Sequence, residues 1–76
     1  MNNPRRKAIS LIKEQLEDLK WKLDELLEEE QDALDNIPEN LQYTERYERA
    51  EECVSCLEDA ISSLEECCDN LDTAIE

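Results

Sequence analysis

The sequence contains no glycine, no histidine and no phenylalanine. Without glycine, neither a phosphate-cradling loop nor the sharp turn of an EF-hand calcium loop is expected. Without histidine, the Glu-x-x-His pairs of ferritin-like di-iron sites cannot be assembled. Long apolar runs are missing too. No stretch suffices to span a bilayer, and the first residues lack the apolar segment of a secretory leader, so a cytoplasmic location is expected. Positive charge is also scarce, with eight basic residues against 22 acidic ones for a net charge of −14. Binding nucleic acid requires Lys and Arg to neutralise phosphates, so neither nucleic acid nor an anionic membrane is an expected ligand. The natural electrostatic partner is a protein with a basic surface. Carboxylates are abundant, but general acid–base chemistry needs them in a desolvated cleft. Two helices offer none, so the chain is not expected to be an enzyme or to hold a cofactor.

What is present is Leu, Glu and Asp in helical order, the composition of a long helix or coiled coil. Asn3 is an expected N-cap, with Pro4 at the first helical position, where its missing N–H costs nothing. Ile9, Ile12, Leu16, Leu19, Leu23 and Leu26 follow at alternating spacings of three and four, a heptad seam. Leu27 and Leu34 carry the stripe to the neighbouring position, and Glu30 falls on the seam opposite Ala50, within reach of Arg46 or Arg49. Pro38 disfavours helix at Ile37, and Asn36 is the expected left-handed cap. Residues 38–41 have the makings of a short helical turn. Thr44 then caps a second helix, with Glu45 and Glu48 suited to its dipole. Tyr47, Ala50, Val54, Leu57, Ile61, Leu64, Cys68, Leu71 and Ile75 form a strict seam. One flank carries Cys53, Ala60, Cys67 and Ala74, and the other Glu51, Glu58, Glu65 and Asp72.

The expected fold is therefore all-α, a coiled-coil-like antiparallel two-helix hairpin over residues 1–76. Its helices span about residues 4–36 and 44–75, joined by a connector at residues 37–43. Leu27 should lie near Val54, and Leu16 near Leu64. Residues 1–22 carry six basic and three acidic side chains, while residues 23–76 carry two and 19. Folding the hairpin sets the basic start beside Glu65, Glu66, Asp69 and Asp72. Because the apolar stripe is wider than a two-stranded seam needs, a homodimer forming a four-helix bundle is expected.

The four cysteines make a poor metal site. Cys53 and Cys56 lie about 16 Å along one helix from Cys67 and Cys68, at about 1.5 Å per residue, whereas zinc ligands crowd one ion. Cys53, Cys67 and Cys68 read as small core residues and Cys56 as the outermost, most reactive thiol. Trp21 points away from the seam and is the single tryptophan, a residue type enriched at binding hot spots.

Asp35-Asn36-Ile37-Pro38-Glu39-Asn40-Leu41-Gln42 and the following residues to Glu52 resemble a group of short acidic proteins of bacterial phages and mobile elements. The similarity continues through Leu57-Glu58-Asp59-Ala60-Ile61 and Leu64-Glu65-Glu66. It covers about half the chain, and the connector is its most specific part. The resemblance implies a helical hairpin and a phage setting, and it carries no activity. Two functions compete on this reading. One is an acidic protein–protein interaction module that binds a basic partner. The other is a phage-type inhibitor whose acidic face imitates nucleic acid and blocks a basic groove of a host defence protein. A redox or metal protein using the cysteines ranks below both. The expected partner-binding residues are Glu25, Glu28, Glu29, Asp32, Asp35, Glu39, Glu45, Glu48 and Glu52, which the hairpin gathers at its connector end with Asp24 and Glu51, together with Trp21.

Overall fold

A computed structural model describes all 76 residues. Helix α1 spans Asn3–Asp35 and helix α2 spans Glu45–Ala74, with a single 3-10 turn at Glu39–Leu41 between them. The helices lie side by side in a rod with extents of 59 × 15 × 13 Å.

The start of α1 is capped one residue earlier than the sequence suggests. Asn2 is the cap, and its side-chain oxygen accepts from the Arg5 N–H at 2.9 Å. Asn3 cannot serve in this way because the Arg6 N–H already donates to the Asn2 carbonyl at 3.1 Å. Pro4 still lies in the first turn, where N–H groups have no partner within the helix. The exit from α1 also differs from expectation. Asn36 has φ −88° and ψ −1°, and no residue in the chain has positive φ. A Cβ makes the left-handed conformation costly. The helix instead tightens, with the Ile37 N–H donating to Leu34 O at 3.2 Å, and Pro38 then ends it. The connector follows as a helical turn, Leu41 N–H bonding Pro38 O at 2.9 Å. Thr44 joins it to α2 by donating its hydroxyl to Leu41 O at 2.8 Å and accepting from the Tyr47 N–H at 3.2 Å.

The seam of α2 is the one read from its heptads. Val54, Ile61 and Cys68 are buried one heptad apart, and Tyr47, Ala50, Leu57, Leu64, Leu71 and Ile75 are half-buried. The seam of α1 is not. Ile9, Leu16 and Leu23 face α2, but their companions are Lys13, Lys20, Leu27 and Leu34, all half-buried or buried. Ile12, Leu19 and Leu26 stay exposed. Lysine stems are apolar and lie along the seam while their ammoniums reach out of it. Lys13 pairs with Asp72 of α2 and with Glu17 at 3.3 Å. One heptad on, Lys20 pairs with Glu65 at 3.2 Å and Asp24 at 3.9 Å. These bonds turn the Lys13–Lys20 edge of α1 toward the acidic flank of α2, and so turn Ile12, Leu19 and Leu26 away.

The two cross-helix pairs also fix the register. In antiparallel helices each side chain leans toward its own N-terminus, so partners lean in opposite directions along the rod and meet across an offset of a few residues. Lys13 with Asp72 and Lys20 with Glu65 step by one heptad on both helices, and Leu27 and Val54 lie on the facing seams. At the far end, the Arg6 guanidinium donates to Glu76 O at 3.4 Å, consistent with the same alignment.

Candidate functional site

Viewed down its axis, the hairpin has two unlike flanks. The ionic flank carries Lys13, Lys20, Glu65 and Asp72, which make the chain's cross-helix ion pairs, with Glu17 and Asp24 paired to the same lysines along α1. A hydrogen bond from Lys13 to Asp72 raises the Lys13 pKa, and one from Lys20 to Glu65 does the same for Lys20. Burial pushes the Cys68 thiol up, helped by nearby Glu17. Trp21 sits on this flank, not on the back of α1 as the heptad pattern implied. It is 65% exposed, with the Lys20 ammonium 5.4 Å from its ring centroid, and it borders a shallow groove with Glu65, Cys68 and Asp69. A cation over an indole face is attracted by the ring quadrupole.

The opposite flank is apolar. It consists of Ile12, Leu19, Leu26 and Ala33 on α1 and Cys53, Ala60, Cys67 and Ala74 on α2, all exposed. Cys53 and Cys67 are thus on the surface of the hairpin, and only Cys68 among the cysteines is buried. Of the three read as small packing residues on the apolar stripe and its flank, the hairpin alone therefore buries one, because two helices cover a narrower stripe than the sequence offers. Toward the connector this flank deepens into a groove lined by Ala33, Ile37, Leu41, Tyr47 and Ala50, with Glu30 and Arg46 at its edge. Glu30 stays exposed there and makes no ion pair with Arg46 or Arg49.

The third feature is the connector end. Glu25, Glu28, Glu29, Asp32, Asp35, Glu39, Glu45, Glu48, Glu51 and Glu52 are all exposed there, and none is in an ion pair. Asp35 accepts a hydrogen bond from Gln31 at 3.1 Å. The short connector and antiparallel helices bring these residues to one end of the rod. Asp24 differs from them, because it is half-buried and held by Lys20. Trp21 is not part of the cluster. Arg46 and Arg49 are the only basic residues near it and pair with no carboxylate.

Sequence reasoning missed the apolar flank as a separate surface. The signal was available in Lys13 and Lys20, one heptad apart and facing the heptad-spaced Glu65 and Asp72. Their placement implies that the Lys edge, rather than the Ile12–Leu19–Leu26 edge, turns toward α2.

Together these features define a class: an acid-tipped helical hairpin with one ionic and one apolar flank. No helix is long and apolar enough to cross a membrane. Comparison with protein families, curated proteins and solved structures found no match.

Proposed function

We propose that the chain is an acidic protein–protein interaction module, acting as a homodimeric four-helix bundle, whose connector end binds a basic surface on a partner protein. One observation carries this reading: with Glu30, eleven carboxylates crowd the connector end unpaired, while every ion pair of the hairpin involves Lys13 or Lys20, outside that cluster. A dense field of one sign repels itself and adds nothing to folding, but it attracts and orients an oppositely charged protein. The same field suits an inhibitor that imitates nucleic acid, and that reading is kept as the sharper form of this one.

Affinity capture from a bacterial lysate at low salt, with charge-reversed variants beside the unaltered protein, tests the proposal. Glu28→Lys/Glu29→Lys/Asp32→Lys should abolish capture of a basic protein. Glu65→Lys/Glu66→Lys/Asp69→Lys should leave it largely intact. Equal loss from both sets, or no loss from the first, would show the connector end to be only a solvated surface. A captured nucleic-acid-binding protein released steeply by salt, and competed off by DNA, would single out the mimic.

A further inference from the structure

The apolar flank has no partner within the chain. Ile12, Leu19 and Leu26 are 49%, 51% and 50% exposed, one heptad apart in a straight row. The small side chains of Cys53, Ala60, Cys67 and Ala74 run beside them on α2. The chain's accessible surface is 6041 Å². A compact folded protein of 8.9 kDa exposes about 4,800 Å², leaving an excess of about 1,200 Å². A standard interface buries about 800 Å² on each partner. The surplus is therefore of the size one protein interface removes, and two rods laid flank to flank remove it while forming a less elongated particle.

Charge decides the orientation. The connector end holds the densest cluster of unpaired carboxylates, and the far end carries Arg5, Arg6 and Lys7 near the start of α1. Two hairpins packed with connectors together would set both acidic ends side by side. Packed head to tail, each acidic end lies against the basic end of the other copy, and Arg5 of one approaches the exposed Glu30 of the other. We infer that a second copy of this chain covers the apolar flank head to tail, α1 on α1 and α2 on α2, so that the bundle carries one acidic binding end at each pole. This rests on the homodimer of the proposed function and adds its face and direction. The two-fold axis then passes close to Leu19 and Ala60, the middle of each row. Larger side chains fill the α1 contact, and the small row lets the α2 helices approach closely.

The test combines mass with cross-linking. In sedimentation equilibrium at micromolar concentration the unaltered protein should have twice the 8.9 kDa chain mass. Leu19→Glu/Leu26→Glu should fall to the single-chain mass, folded or not. Leu11→Glu makes the same change at another exposed leucine, outside this flank, and should keep the double mass. A short bis-thiol reagent should then join Cys53 of one copy to Cys67 of the other, flanking Ala60 about the axis. Within one chain these two lie about 21 Å apart at about 1.5 Å per residue, beyond such a reagent. A single-chain mass for the helical unaltered protein would overturn the dimer itself, whereas a double mass for Leu19→Glu/Leu26→Glu would overturn the face while leaving a dimer standing. Cross-links joining Cys53 only to Cys53 and Cys67 only to Cys67 would overturn the head-to-tail direction while leaving a dimer standing.

Discussion

Replacing Ile61 by alanine tests how thin the core is. Only Leu34, Val54, Ile61 and Cys68 are buried in the hairpin, and Ile61 is 6% exposed at the centre of the α2 seam. Truncating a buried isoleucine to alanine costs about 2–5 kcal/mol, depending on how well the site collapses around the cavity. A single core of this size supplies only about 3–5 kcal/mol in all. The loss is thus comparable to the whole stability of the chain. In a domain of this length each 1 kcal/mol moves the melting temperature by about 4–8 °C, so Ile61→Ala should lower it by at least about 8 °C. The assay is thermal melting followed by circular dichroism at several protein concentrations. If folding is coupled to dimerisation, the loss should deepen on dilution, because association stabilises by mass action. A melting temperature within about 3 °C of the unaltered protein, a shift of less than about 1 kcal/mol, would refute a core centred on Val54, Ile61 and Cys68.

Three further outcomes follow from particular contacts. Thr44→Ala removes both the cap on the Tyr47 N–H and the bond to Leu41 O, and should cost about 1 kcal/mol by chemical denaturation; an unchanged denaturation midpoint would show the cap to be idle. Lys13, Lys20 and Cys68 are all held above their ordinary pKa values, so folding favours their protonated forms. The stability this contributes is complete below the unfolded values, about 8.5 for the thiol and about 10.4 for lysine, and is lost as pH rises past them. The melting temperature should accordingly begin to fall above about pH 8.5, and Cys68→Ala should remove that first part of the fall; an identical decline in both proteins would contradict the assignment. In thiol labelling of native protein, Cys56 should react first and Cys68 last. Cys53 and Cys67 should be slow in the dimer and fast in Leu19→Glu/Leu26→Glu, whereas equal rates in both states would argue against a covered flank.

Much of the fold was legible because α2 announces its own orientation. Its seam has an acidic row on one side and a small-residue row on the other, so the inward face follows from composition and period. Helix α1 was read half wrongly for a physical reason. Its apolar residues fall in three rows, of which Ile9–Leu16–Leu23 is common to either choice of seam. Ile12–Leu19–Leu26 offered a regular heptad, and the rival row contained Lys13 and Lys20, which look like surface residues. Pairing with Glu65 and Asp72 makes that row the inner one, and such pairing appears only when both helices are considered together. The cap at Asn2 rather than Asn3 is a one-residue matter of which N–H is already taken. The exposure of the connector carboxylates was readable from the hairpin alone. That Asp24 leaves the cluster to join Lys20, and that Trp21 lies on the ionic flank, depends on how α1 is rotated about its axis.

The central functional claim is that the connector end is where a basic protein docks. Titrating the isotopically labelled protein with a lysine- and arginine-rich peptide at low salt, and following backbone amide shifts, tests it directly. The account predicts the largest shifts from Glu25 to Asp35 and from Glu39 to Glu52, small shifts around Lys13, Lys20, Glu65 and Asp72, and reversal of the shifts by added salt. Shifts spread evenly along both helices, or concentrated at Glu65–Asp72, would contradict it.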